Sequence, residues 1–140
     1  MNPFEDLIKD LGSLMDLPLK PDNNQSCLMN FYEIGVSVQI DLDTNADKIL
    51  IGSLLGALSA GPYRERIFKQ ALRVNGLSTS PRGTLAYSTK NDTLVLFQFL
   101  PLAYIDGKKL FNFLQLFIEH ARAWIEAIKQ GDIPPIEEDR

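Results

Sequence analysis

Reactive side chains are scarce in this 140-residue sequence, which contains a single cysteine, Cys27, and a single histidine, His120. One cysteine excludes an internal disulfide and any multi-cysteine zinc site, and it fits a reducing compartment, of which the cytoplasm is the default. A thiol or hydroxyl nucleophile needs a base within hydrogen-bond reach, so any such mechanism would depend on His120. Cys27 lies in an apolar strand-like segment and His120 on a long predicted helix. We therefore predict a protein that is not an enzyme and needs no cofactor.

Long apolar runs and excess positive charge are missing as well. The longest apolar stretch, residues 93–103, is interrupted by a glutamine and a proline and is shorter than the roughly 20 residues of a membrane-spanning helix. Residues 1–6 carry acidic side chains where a secretory signal would be basic. The formal net charge of −4 argues against nucleic acid or an anionic membrane as the main partner, because both bind positive charge.

Motifs for binding calcium or phosphate, or for hydrolysis, are incomplete or absent. The segment Asp41–Asp47 resembles the start of a calcium loop, but Ala46 replaces the turn glycine and Gly52 replaces the closing glutamate. No Walker loop or dinucleotide-binding glycine motif is present, and Gly52–Gly56 has the wrong spacing for a nucleophile elbow. The basic residues between Arg64 and Arg73 are interrupted by an acidic one and are predicted to form a solvated helix face.

The spacing of apolar residues predicts one α+β domain with an antiparallel sheet. The first helix begins at a capping Asn2, with Pro3 in its first turn, and ends before Pro18. Strands, a second helix and a long final helix follow in the order α-β-β-β-α-β-β-α, with predicted bounds of 27–32, 34–42, 48–55, 61–75, 84–89, 93–100 and 106–129. We predict a single domain over residues 1–131 and a mobile acidic tail over 132–140.

Two segments carry more apolar surface than their structural role obviously needs. One is the stripe of the first helix, which packing on its own sheet would also explain. The other is the strand Leu94–Leu100, which is apolar on both faces. The last helix can cover one face, and a second subunit could cover the other.

Several stretches of this sequence resemble one known family. They are 67–75, 83–87, 94–96, 101–102 and the final-helix segment Leu114–Trp124, in which an aromatic-rich face and a tryptophan follow the last strand. Together with the amphipathic first helix and the acidic balance, they resemble the Tir-chaperone family of class I type III secretion chaperones across nearly the whole chain. The connection 75–81 is the departure from better-known members.

The resemblance implies a cytosolic homodimer in a Gram-negative bacterium that binds the unfolded N-terminal segment of a secreted effector. The second helix and the neighbouring strand would lie near the two-fold axis, with these candidate dimer contacts: Ile67, Ala71, Val74, Phe97 and Phe99. An extended effector segment would pair like a strand and insert apolar side chains into grooves of the first helix and first strands: Leu7, Ile8, Leu11, Phe31, Val36 and Val38.

Two other functions remain open at this point. One is a small dimeric regulatory or interaction protein that binds a folded partner, and the other is a small enzyme that uses Cys27 or His120. The effector hypothesis predicts that Leu7→Asp combined with Leu11→Asp weakens effector binding and leaves the dimer intact. Loss of folding in that variant would instead assign the first helix stripe to the core.

Overall fold

The structure, a computed structural model, describes residues 2–45, 47–77 and 82–136, with the backbone alone at Leu77. The elements are α1 (Pro3–Met15), β1 (Ser26–Phe31), β2 (Val36–Asp43), β3 (Lys48–Ala57), α2 (Pro62–Leu77), β4 (Thr84–Ser88), β5 (Thr93–Pro101), a short 3₁₀ helix (Leu102–Tyr104) and α3 (Gly107–Gln130). This order confirms the predicted α+β fold. The 3₁₀ helix is an addition that the apolar spacing did not indicate.

The ends of α1 and α3 follow from their capping residues. The side-chain oxygen of Asn2 accepts hydrogen bonds from the backbone N–H groups of Phe4 and Glu5, at 3.1 and 3.3 Å. At α3, the Asp106 side chain accepts from the N–H of Lys109 at 2.8 Å, and Gly131 closes the helix with a left-handed backbone at φ 73°. These bonds satisfy backbone groups that a helix end leaves open.

The five strands form one antiparallel sheet in the order β1-β2-β3-β5-β4. β2 begins two residues later than predicted because a turn from Phe31 occupies the intervening positions. In this turn the Ile34 N–H donates to the carbonyl of Phe31 at 3.1 Å, and Gly35 has a φ of 70°. The sheet has two edges, which are formed by β1 and β4.

Helices α1 and α3 cover one face of the sheet, which we call the inner face. α3 packs across β2 and β3, α1 packs against α3, and α2 packs on β4. The fully buried side chains Trp124, Phe117 and Phe4 belong to one continuous core. A bulge in β3 brings Gly56 so close to α3 that a Cβ atom there would lie 2.9 Å from the Cγ2 atom of Ile128, so glycine suits this position.

The residues after α3 pack on α2 as far as the structure describes them, whereas the sequence predicts a mobile tail from residue 132. The Tyr63 hydroxyl donates to the carbonyl of Asp132 at 2.8 Å, and the Gln70 amide donates to the carbonyl of Pro134 at 2.7 Å. Pro134 is buried. These contacts hold residues 132–134 on α2. The domain bounds of 1–131 and 132–140 stay a prediction, and residues 137–140 of the predicted tail lie outside the described residues.

No helix among residues 2–45, 47–77 and 82–136 has the length and apolar character that crossing a membrane requires.

Candidate protein-binding surfaces

The residues predicted to contact an effector are mostly core residues in this structure. Leu7 is 5% exposed and Val36 is 1% exposed, while Ile8, Leu11 and Val38 are fully buried. The sixth residue, Phe31, is partly buried at the end of β1. The apolar stripe of α1 is used inside the chain because α1 packs against α3 over the inner face of the sheet. Buried side chains leave little surface for a partner, so an effector surface must be sought among their neighbours.

The residues predicted for a dimer interface divide into two groups. Three of them lie on α2, where Ile67 and Ala71 are buried and Val74 is partly buried. Phe97 is partly buried and Phe99 is 41% exposed, both on the face of β5 that points away from α1 and α3. Among these five residues, the two phenylalanines present the larger share of open surface to a second molecule.

The outer edge of β1 carries backbone groups that point away from the sheet. The backbone of Ser26 faces this edge, because its N–H donates to the Asp22 carboxylate at 3.0 Å and its carbonyl accepts from the Asp22 N–H at 2.8 Å. Alternation along an antiparallel strand directs the backbone groups of Leu28 and Asn30 the same way. We call these positions, 28 to 30, the β1 edge, and its Leu28 side chain is 58% exposed.

Further apolar side chains are exposed where α1 ends and the chain turns towards β1. Leu14 is 49% exposed and Leu17 is 40% exposed. The connection from α1 then runs beside β1, since the backbone of Lys20 lies beside the thiol of Cys27. The β1 edge and the end of α1 thus combine open backbone groups with exposed leucines.

The sheet face opposite α1 and α3 is polar at one end and apolar at the other. On β1 and β2 the polar side chains bond one another, with Ser26 donating to Asp41 and the Gln39 amide donating to the same carboxylate at 2.9 Å. On β3 and β5 the strand register places five apolar side chains on this face: Leu50, Leu54, Val95, Phe97 and Phe99. We call these five residues the apolar outer face; its Leu54 is 67% exposed.

A third surface is a groove between α2 and β4 with a volume of about 220 Å³. Its lining is almost entirely apolar and consists of Phe68, Ala71, Leu72, Asn75, Leu85, Ala86, Tyr87 and Leu94. Leu72, on its rim, is 72% exposed. We call it the α2–β4 groove.

Aromatic and charged side chains hold the rim of the α2–β4 groove together. The rings of Phe68 and Tyr87 meet edge to face with centroids 4.9 Å apart. Arg64 donates to the Tyr87 hydroxyl at 3.1 Å, and that hydroxyl donates to the Asp92 carboxylate at 2.6 Å. The hydrogen bond to Asp92 raises the pKa of Tyr87, so the hydroxyl keeps its proton and continues to donate. These contacts fix the positions of the side chains at the rim of the groove.

The reactive residues considered from the sequence have different neighbours. Cys27 is buried in β1, and burial raises the pKa of its thiol. The backbone of Lys20 and the carboxylate of Asp22 are the groups beside it. His120 instead lies with its Nδ1 atom 3.3 Å from the carbonyl of Arg82 and its ring against Trp124. A buried thiol of raised pKa is poorly nucleophilic.

The calcium-like segment forms part of a strand and a turn. The Asp43 carboxylate accepts from the N–H of Asn45 at 3.1 Å, and Asp41 is engaged with Ser26 and Gln39 on the sheet. Ala46 of this segment lies outside the described residues. Within the ranges that the structure describes, no group of three acidic, histidine or cysteine side chains could hold a metal ion.

Sequence reasoning missed three exposed leucines of these surfaces: Leu28, Leu54 and Leu72. For Leu28 the signal was present, because strand alternation with the buried Cys27 and Met29 directs it outward. Leu54 carries the same signal, because alternation with the buried Ile51, Ser53 and Leu55 directs it outward.

Known proteins resemble this chain in sequence profile and in fold. Residues 6–125 match the profile of the Tir chaperone protein (CesT) family. The fold is similar to a chain of the HopA1–SchA chaperone–effector complex, with a TM-score of 0.73 and 20% identity over 89% of this chain and 94% of that one. No curated protein sequence matches.

Two further structures show the same likeness. One contains the Yersinia pestis type III secretion chaperone SycH with a stable fragment of YscM2, with a TM-score of 0.67 and 16% identity over 84% of this chain and 96% of that one. The other is the ExoT–SpcS complex from Pseudomonas aeruginosa, with a TM-score of 0.65 and 20% identity over 86% and 97%. At these identities the likeness establishes the fold.

Proposed function

The chain belongs to the Tir chaperone protein (CesT) family, and from this premise we propose that it is a type III secretion chaperone. In this proposal it binds the unfolded N-terminal segment of one or more effectors in the cytosol of a Gram-negative bacterium and keeps that segment soluble for secretion. The observation that carries the proposal is a chaperone fold whose β1 edge presents open backbone groups beside exposed leucines. The similar solved structures include chaperone–effector complexes, which supports a partner of this kind.

An extended peptide at the β1 edge would gain affinity in two ways. Its backbone would pair with the outward groups of Leu28 and Asn30, and alternate side chains would contact apolar surface on either side of the sheet. On the outer side the available contact is the Leu28 side chain, and Phe31 lies at the end of the strand. Such binding orders a flexible segment at an entropic cost, so the client must cover a large surface.

The buried residues of the predicted groove support this site from within. Leu7, Ile8 and Leu11 hold α1 in place, while Val36 and Val38 fix β2 next to β1. In the revised proposal these five residues shape the effector site, and exposed neighbours make the contacts. The main candidates are Leu14, Leu17 and Leu28.

We further propose that the chaperone is a homodimer that buries the apolar outer face. Leu54 and Phe99 are too exposed and too close to Phe97 and Val95 to be explained as scattered surface residues. Oligomers with a two-fold axis bury the same patch on both copies, and the apolar outer face would be that patch.

The effector proposal is tested by one substitution at the β1 edge. We expect Leu28→Lys to weaken client binding by about tenfold, because a charge replaces an apolar contact on the β1 edge. Leu116→Lys is the matched control, since Leu116 is 38% exposed on the solvent side of α3. Affinities are measured by calorimetry with the N-terminal segment of a co-purified, secreted protein.

Limited proteolysis of the captured complex separates the effector proposal from the alternative of a folded partner. A client held by a chaperone is protected over its N-terminal segment although that segment has no compact fold of its own. A partner that stays folded when released, or equal binding by the Leu28→Lys and Leu116→Lys variants, would contradict the proposal.

A further inference from the structure

The side chain of Asn75 closes the outer edge of β4. The Leu85 N–H donates to the Oδ1 atom of Asn75 at 2.9 Å, and the Nδ2 atom of Asn75 donates to the carbonyl of Leu85 at 2.8 Å. β4 is the last strand of the sheet, so nothing in the sheet lies beyond it. The amide therefore makes the same pair of bonds to Leu85 that a neighbouring strand would make.

This single side chain occupies half of the pairing positions on that edge. Because Leu85 bonds outward, alternation directs the backbone groups of Thr84, Ala86 and Ser88 towards β5. Only Leu85 and Tyr87 then face outward within β4, which runs from Thr84 to Ser88. With Leu85 taken, one outward position remains, and one position cannot hold a strand in register.

The β1 edge differs in this respect. The first outward residue of strand β1, Ser26, is closed by Asp22, but the next two, Leu28 and Asn30, are consecutive outward positions and form the β1 edge. Among the hydrogen bonds of the described residues, none reaches the outward backbone groups of Leu28 or Asn30. The sheet thus has one open edge and one edge that a side-chain amide covers.

We propose that Asn75 restricts strand addition to the β1 edge and so determines on which side of the sheet an extended client can pair. Proteins commonly protect an edge strand by covering or interrupting its backbone groups, and specificity often comes from an element that excludes the wrong partner. The α2–β4 groove, which Asn75 also lines, can then accept side chains but not a pairing backbone. The identity of the client rests on the proposed function, whereas the closure of β4 does not.

The test uses the full chain, its Asn75→Ala variant and a synthetic eight-residue probe peptide of alternating threonine and valine with terminal lysines. In the absence of peptide, we expect Asn75→Ala to speed amide exchange of Leu85 by roughly tenfold, because its hydrogen bond is gone. With peptide, the wild type gains protection at Leu28 and Asn30 only. The variant gains protection at Leu85 and Tyr87 as well, and it binds more peptide per protomer.

Two control variants distinguish whether Asn75 blocks the edge of β4 or only holds α2 against the sheet. Gln70→Ala removes another amide-to-carbonyl bond of α2, to Pro134, away from any sheet edge, and should leave exchange at Leu85 and peptide binding unchanged. Asn75→Asp still accepts from the Leu85 N–H but puts a negative charge on the edge, so it should admit no peptide at β4. A pure attachment role predicts that the Asp and Ala variants behave alike.

The outcomes decide the proposal in each case. Protection of the Tyr87 amide by the peptide in the wild type would overturn the proposal, and so would the absence of such protection in Asn75→Ala. If the alanine variant does not fold, Asn75→Ser replaces it. If the wild type binds no peptide at β1 while Asn75→Ala binds it at β4, the role of Asn75 stands and the client site of the proposed function fails.

Discussion

At the scale of single residues, Cys27 shows how neighbours determine reactivity. Its thiol is buried in β1, and burial raises its pKa, with a smaller contribution from the negative charge of Asp22. The sequence identifies Cys27 as an apolar strand residue, but its access to solvent depends on α1 and on the connection that leads from it. The same reasoning explains why a mechanism based on this thiol has little support.

We expect the Cys27 thiol to react slowly with a disulfide reagent at pH 8 when the chain is folded and rapidly when it is unfolded in urea. The unfolded thiol ionises near its ordinary pKa and the folded one only above it. Between these values the unfolded chain releases a proton, so the free energy of unfolding should fall as pH rises through this range. A Cys27→Ala, Ser59→Cys variant, with an exposed thiol, is the control; equal rates in the two folded proteins would contradict the prediction.

A second residue-scale prediction concerns Tyr63, which holds the segment after α3. Tyr63→Phe removes the hydrogen bond to the Asp132 carbonyl and should lower the free energy of unfolding by about 1 kcal/mol. Tyr32→Phe is the control, because Tyr32 is 85% exposed in the turn after β1. Urea unfolding monitored by circular dichroism measures both. An unchanged stability would mean that the hydrogen bond from Tyr63 to Asp132 contributes nothing to the fold.

At the scale of elements, α1 shows that an apolar stripe in the sequence does not reveal what that stripe contacts. Its capping by Asn2 and its apolar stripe follow directly from the sequence, and both are present. The stripe contacts α3 and the core, however, so the partner of this helix is its own chain. The spacing of leucines establishes that one face is apolar, but the same spacing serves a core and a binding groove equally well.

The double variant Leu7→Asp, Leu11→Asp is therefore expected not to fold, in contrast to the expectation from the sequence alone. The wild-type side chains are 5% and 0% exposed, and burying two carboxyl groups there costs several kcal/mol against a total stability of about 5–15 kcal/mol. Leu14→Asp, at an exposed position of the same helix, should fold normally. Circular dichroism and thermal unfolding compare the two variants. If the double variant folds, the apolar stripe of α1 is again a candidate effector surface.

At the scale of the whole molecule, the two faces of the sheet differ in what covers them. The inner face is covered by α1 and α3. The apolar outer face has no cover within residues 2–45, 47–77 and 82–136, where Leu54 is 67% exposed and Phe99 is 41% exposed. Lys48 lies over the Phe99 ring at 4.1 Å and leaves part of that ring open. A second copy of the chain is the partner that we propose for this face.

Substituting the outer face should therefore change the oligomeric state without unfolding the chain. We expect Leu54→Glu with Phe99→Glu to convert a dimer into a monomer, because two carboxylates per copy would be placed in one apolar interface. Leu116→Glu, on the solvent side of α3, should remain dimeric. Sedimentation velocity over a range of concentrations measures the mass. A monomeric wild type, or a dimeric double variant, would show that this face is not the interface.

The sequence by itself determined the order of elements, the caps of the first and last helices, and the family, because each depends on local spacing or on residues next to one another. Asn2, Asp106 and Gly131 act on backbone groups within their own turn, so no distant contact can alter their role. Apolar residues at both odd and even positions of β5 likewise predict that both of its faces are apolar.

Only the tertiary structure decided which of these surfaces remain open. Leu7 and Leu28 are both leucines on amphipathic elements, but α3 buries the first while the position of β1 at the sheet edge exposes the second. The bonds from Asn75 to Leu85 depend on how α2 packs on β4, and local spacing contains no trace of them. Burial is a property of neighbours distant in sequence, and for this reason the fold was predictable and the binding surfaces were not.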